Sequence, residues 1–302
     1  MTPNPVTPSA PTPSALWRAT RAYSFPASVI PVLLGTALAA RGYAFPGHAH
    51  FDGLLFALTL LGAVLAHFGS NVLNDYFDFV NGVDTRPEHG SGVLTGGQMT
   101  ARQALTFGAA LMAGAAVCGL ALLPGHAAAV LPLAVTGLGC AVLYPAVLKR
   151  YALGDFLIIL AFGLGLTLGA YGVQQAGALS ARQWLLVSLY AVPVCLLVDA
   201  ILHANNLRDA PDDRAAHVRT LATLLTPKAG QALQVFLLFG PVLFAIGGVL
   251  FHLLPIWSLG TLLAVPLLLS AYRTGSVPGT AQTHLLFGLL YTASFLFKPV
   301  FV

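Results

Sequence analysis

Ten carboxylates serve 302 residues, and eight of them lie in or beside two short stretches. The first, Asn71 to Asp84, contributes Asp75, Asp78 and Asp84 together with Asn71, Asn74 and Asn81. The second runs Asn205-Asn206-Leu207-Arg208-Asp209 and then Asp212-Asp213-Arg214. At ~100° per residue on a helix, Asn71, Asp75 and Asp78 fall near 0°, 40° and −20°, one narrow face with Asn74 beside it. Asn205, Asp209 and Asp213 fall on one face in the same way, although Pro211 biases Ala210 away from helix. A helix ending at Asp209, with Asp212 and Asp213 on a turn, is therefore the expectation. Carboxylate and amide oxygens without interleaved Cys or His select a hard cation, and Mg²⁺ completes its octahedron with waters and substrate phosphates. Facing acids at low dielectric repel one another, and a Mg²⁺-diphosphate resolves that repulsion. Lys149, Arg150, Arg208 and Arg214 could add charge-assisted contacts to phosphate oxygens.

The elements that carry these groups are apolar. Hydrophobic residues make up 57% of the chain and charged ones 8%, against roughly 25% charged in soluble domains, and the mean hydropathy is +0.81. Nine runs approach the ~20 residues needed to cross hydrocarbon: 25–40, 53–73, 104–123, 127–147, 155–175, 184–204, 231–252, 256–272 and 283–301. They are continuous, without strict alternation, so backbone satisfaction in lipid requires helices. The fold class expected is all-α, a polytopic membrane protein of about nine transmembrane helices in one bundle. Residues 1–16, rich in Pro, Thr and Ser, are expected to form a disordered tail ahead of one membrane domain, 17–302. The tail has no basic region of the kind that opens a signal peptide.

Eleven of the fourteen basic residues fall in one set of loops, from Arg18 and Arg21 to Lys228 and Arg273. The positive-inside bias puts that set, the N-terminus and both acidic stretches in the cytoplasm, and a bacterial cytoplasmic membrane is the expected location. The lipid bilayer is thus a partner. Scattered bases without a patch exclude a nucleic-acid partner. Cys118, Cys140 and Cys195 lie inside apolar runs, as packing residues do.

With both motifs in view, the sequence resembles the UbiA superfamily of intramembrane prenyltransferases. Asn74-Asp75-Tyr76-Phe77-Asp78 looks like the first aspartate-rich motif of that family. Asn205-Asn206-Leu207-Arg208-Asp209, with Asp213-Arg214 and Thr220-Leu221-Ala222, looks like the second. Arg21, Pro26, Pro31, Leu153-Gly154-Asp155 and Phe162-Gly163 extend the likeness. The resemblance implies transfer of a prenyl chain from a polyprenyl diphosphate to an aromatic acceptor. It implies that Asp75, Asp78, Asp209 and Asp213 hold Mg²⁺ against the diphosphate, helped by Asn71, Asn74 and Asn205, with Asp84 a further metal candidate. It places the loop of Tyr144 and Lys149 by the diphosphate as well. Gly82 stands where many members carry another Asp, and His217 where a Gly is common. The spelling Asn-Asn-Leu-Arg-Asp is most similar to the 1,4-dihydroxy-2-naphthoate polyprenyltransferases of menaquinone synthesis.

Lesser candidates are His67, one turn before Asn71, as an acceptor-site base, His203, and Asp199, an intramembrane acid. Each also has an ordinary reading as a hydrogen-bonded packing group. The rival function is a secondary transporter, which shares polytopic spans, Pro-broken helices and paired acids. Transporter sites lie near the bilayer midplane, whereas these acids sit at helix ends.

Overall fold

The computed structural model describes residues 10–44, 48–83, 90–139, 152–175, 178–215 and 218–297. Asp84, Tyr144, Lys149, Arg150 and His217 lie outside the described residues. The chain folds as α1 (Pro13–Ala19), α2 (Pro26–Ala40), α3 (Gly53–Val80) and α4 (Ala101–Leu138). There follow α5 (Gly154–Ile158), a π-helical stretch (Ile159–Gly165), α6 (Leu166–Gln175) and α7 (Ala181–Ala215). The chain ends with α8 (Leu221–Leu224), α9 (Pro227–Leu250), a 3₁₀ stretch (Ile256–Ala264), α10 (Val265–Thr274) and α11 (Val277–Ser294).

Among the described residues, seven helices are long and apolar enough to cross a membrane. The expected run 104–123 and the first part of 127–147 fall on α4, whose backbone is non-helical at Pro124, Gly125 (φ 81°) and His126. Proline cannot continue the hydrogen-bond ladder, and glycine tolerates the left-handed turn. The last run begins earlier than expected, because Ser276 caps α11 by accepting from the Gly279 N–H. Its Thr280, Thr283 and His284 are buried against the bundle and not offered to lipid.

Local signals explain most boundaries. Asp52 accepts from the N–H groups of Leu54 and Leu55 at 2.8 and 3.0 Å and so starts α3. Thr100 and Gln103 form a reciprocal capping box at the start of α4. Residues 13–16, expected within a disordered tail, are helical: Thr12 caps a helix from Pro13, and Ala15 and Ala19 pack with Val72, Val93, Leu94 and Met99. The other revision concerns Pro211. Helix α7 continues through it to Ala215, so Asp212 and Asp213 stand on the same helix as Asp209. Pro211 lacks the N–H that would bond the Leu207 carbonyl, and the helix carries on past that one missing bond.

Helix α2 is the central strut. It packs against α6, α11 and α3, and at Gly35 a Cβ would meet the Thr167 carbonyl oxygen at 2.1 Å. The backbones touch there, and glycine permits it. The main core joins Leu34, Leu38, Tyr171, Leu197, Leu238, Phe287, Tyr291 and Phe295. That core fixes α7 against α2, and α2 in turn fixes α3. The two acid-bearing helices are therefore held by a common scaffold.

Candidate active site

The two acidic stretches, well over a hundred residues apart in sequence, open into one cavity of about 210 Å³. Helix α3 contributes His67, Ser70, Asn71, Asn74 and Asp78 to its lining. Helix α7 contributes Leu202, Asn205, Asn206, Asp209, Asp212 and Asp213. Gly154, Leu157, Ile158 and Phe162, from α5 and the π-helical stretch, form an apolar wall, and Arg21, Val83, Gly90 and Thr220 complete the lining. A π-helical turn at such a wall is a common accompaniment of functional sites. One end of the cavity is thus polar and acidic, the adjoining wall greasy.

Within the first motif the two acids divide. Asp78 lines the cavity, and the Asn74 Nδ2 donates to its Oδ2 at 3.0 Å. Asp75 does not line it. Its carboxylate is buried, forms an ion pair with Arg21 and accepts from the Ser91 N–H at 3.0 Å. Arg21 reaches the cavity from a left-handed backbone turn (φ 49°, ψ 48°), a conformation an L side chain adopts only when its surroundings hold it there. Asn71 ties the same segment down by donating to the Thr20 carbonyl at 2.9 Å and the Ser24 hydroxyl at 3.3 Å.

In the second motif the Arg208 guanidinium grips Asp209 with two parallel bonds, Nε to Oδ1 at 2.7 Å and Nη2 to Oδ2 at 2.8 Å. Nη2 also donates to the Asn205 Oδ1 at 2.8 Å, and the Asn205 amide donates to Asp209 at 3.2 Å. This fork fixes the carboxylate rotamer. Arg208 is occupied with Asp209 and is not part of the lining. Arg214 donates to the Ala222 carbonyl at 2.9 Å, so it braces the start of α8 against the end of α7. Both arginines were expected at the diphosphate; here they brace the motif.

His67 is buried, with Ser24 Oγ at 3.2 Å from Nε2 and Ser28 Oγ at 3.0 Å from Nδ1, and its ring packs on Phe162 at 5.0 Å. Both ring nitrogens are engaged, as in a packing histidine. His203 and Asp199 lie behind the cavity wall and do not line it. Sequence reasoning missed Ser70, Asn206 and Thr220 as lining residues. Ser70 stands one turn before Asn74 on the same face of α3, which was the available signal. Asn206 adjoins Asn205, and nothing in its spacing distinguishes it.

The UbiA prenyltransferase family model matches residues 28–296. A UbiA prenyltransferase domain-containing protein 1 homolog of Drosophila melanogaster is 36% identical over 290 residues, covering 91% of this chain and 77% of its own. The UbiA prenyltransferase domain-containing protein 1 of Homo sapiens is 32% identical over 293 residues, covering 93% and 83%. Among solved structures, the apo structure of a UbiA homolog from Aeropyrum pernix K1 superposes with a TM-score of 0.68 at 20% identity, covering 91% of this chain and 97% of that one. A UbiA homolog from Archaeoglobus fulgidus bound to DMAPP and Mg²⁺ gives 0.58 at 14% identity, covering 93% and 99%. These last two likenesses concern the fold.

Proposed function

This chain belongs to the UbiA prenyltransferase family, and we propose that it transfers a polyprenyl chain from a polyprenyl diphosphate to 1,4-dihydroxy-2-naphthoate. The observation that carries the reading is the convergence of Asp78 with Asp209, Asp212 and Asp213 on one cavity beside an apolar wall.

The donor set fits Mg²⁺. Carboxylate and amide oxygens face the cavity, and the one lining imidazole has both nitrogens engaged. Among the described residues no three His, Cys, Asp or Glu groups form a ready-made metal cage. A cation taking one or two carboxylates from each helix, and the rest of its ligands from substrate and water, suits such a site. Asp78, Asp209 and Asp213 are the residues that would hold it, with Asp84 as a further candidate by motif. Bound there with diphosphate, Mg²⁺ supplies Lewis-acid charge toward the leaving group.

The protein's own groups do the remaining work. Arg21 offers its guanidinium at the cavity to the oxygens on which negative charge grows. Asn71, Asn74 and Asn205 orient the side chains around it. Leu157, Ile158, Phe162 and Leu202 keep water from the allylic carbon as the C–O bond breaks. The aromatic ring then attacks that carbon and loses a proton. Tyr144, Lys149 and Arg150 remain diphosphate candidates by motif, and Asp75 serves by holding Arg21. The acceptor rests on the motif spelling Asn205-Asn206-Leu207-Arg208-Asp209. The basic-residue asymmetry supports a cytoplasmic position for the cavity.

The test is product formation by detergent-purified protein with Mg²⁺, labelled geranylgeranyl diphosphate and separate naphthoate, benzoate and homogentisate acceptors. Prenylated naphthoate product is expected. Transfer to benzoate or homogentisate alone would overturn the acceptor assignment. Absence of any transfer, with vesicle-dependent uptake instead, would favour the transporter, which needs two compartments.

A further inference from the structure

Directly behind the cavity wall lies a second acidic group that the prenyl-transfer chemistry does not use. Asp155, at the start of α5, and Asp199, in α7, are each 4% exposed, and His203, one turn beyond Asp199, is wholly buried. Helices α5 and α7 pack together, and the Asp199 carboxyl neighbours that of Asp155. The His203 Nδ1 stands 3.4 Å from the Asp155 Oδ1. The other ring nitrogen, Nε2, is 3.0 Å from the Gly230 carbonyl oxygen of α9. A carbonyl only accepts, so Nε2 carries a hydrogen and donates it.

As two carboxylates and a neutral imidazole the cluster does not close. Both Asp155 oxygens, one Asp199 oxygen and the His203 Nδ1 find no donor or acceptor partner among the described residues. Two ionised acids would place two negative charges side by side in an apolar bundle, which is far costlier than neutralising them. The donor that is missing is a proton. One proton between the carboxyls, and a second between Asp155 and Nδ1, satisfy the facing atoms and bring the cluster to neutrality.

We propose that Asp155 and Asp199 share a proton, closed by His203, and that this proton-linked staple positions the second acidic motif against the cavity wall. The residues it joins flank the lining directly. Asp155 follows Gly154 and precedes Leu157, while His203 lies between Leu202 and Asn205, all four of which line the cavity. Through Gly230 the same cluster also reaches α9, so three helices meet at it. The three residues are positioning residues, because none touches the cavity. The staple would act as outer-shell hydrogen bonds act on ligand geometry.

Infrared spectra in ester-free detergent, with H₂O and D₂O compared, test the shared proton. A deuterium-sensitive C=O stretch of a protonated carboxylic acid is expected in the wild type and absent in Asp155→Asn and Asp199→Asn. No such band, or one that survives both substitutions, would overturn the proposal. The activity arm rests on the prenyl-transfer reading, and the infrared arm does not, so the two can fail separately. Asp199→Asn keeps a hydrogen-bonded pair and should retain kcat to within a few-fold. Asp199→Ala should raise KM for the prenyl diphosphate by about tenfold with a smaller change in kcat. An Asp199→Asn protein that elutes as wild type but is as inactive as Asp199→Ala would show that a carboxylate is needed chemically, against a positioning role. Should Asp199→Ala not fold, the infrared spectra and the Asn variant decide.

Discussion

Arg21 is ion-paired with Asp75, a residue 54 positions further along the chain, and the pair couples the segment before α2 to the acidic end of α3. The second oxygen of the same carboxylate holds the Ser91 N–H. One carboxylate therefore anchors both the strained turn at Arg21 and the glycine-bearing loop that follows the first motif. Asp78, three residues on, lines the cavity.

That division predicts different losses at neighbouring acids. Asp75→Ala removes the buried carboxylate that Arg21 and the Ser91 N–H share and should cost about 3 kcal/mol of stability. The expected result is a lower thermal midpoint and a raised KM for the prenyl diphosphate, read by melting in detergent and by steady-state kinetics. Wild-type melting of Asp75→Ala would contradict the anchoring role.

Asp78→Ala and Asp209→Ala should each lower kcat by about a hundredfold or more, because the groups that hold charge against the leaving group are lost. Their thermal midpoints should stay close to wild type. Chelation by EDTA should abolish transfer in the parent protein, and added Mg²⁺ should restore it.

Arg208 acts on Asp209 through a planar fork, so the pair is sensitive to donor geometry as well as charge. Arg208→Lys keeps the charge but cannot make two parallel bonds. It should raise the Mg²⁺ concentration giving half-maximal activity by about tenfold. Titration of activity against Mg²⁺ checks this, and an unshifted curve would contradict the bracing role of Arg208.

Gly35→Ala would drive a methyl group into the Thr167 carbonyl, which lies 2.1 Å from the ideal Cβ position. The three nearest atoms, from Thr167 and Tyr171, are all backbone, so α2 and α6 must separate, at a cost of about 1–3 kcal/mol. A shorter detergent half-life at fixed temperature is the expected reading, with activity lost in parallel as α2 releases α3.

The sequence by itself determined the all-helical membrane character, the outline of the spans and the two stretches where the acids are concentrated. These are local properties: hydropathy over a window, and the angular spacing of side chains on one helix. Only the tertiary structure decided that Asp78 and Asp209 share a cavity, that Asp75 is taken by Arg21, and that Arg208 and Arg214 brace the motif instead of lining the site. It also carried α7 past Pro211, putting Asp212 and Asp213 on the helix. The physical reason is one of range. Periodicity along a chain fixes which face a residue occupies on its own helix, whereas its partner across the bundle is chosen by how distant helices pack, through close approaches such as Gly35 against Thr167.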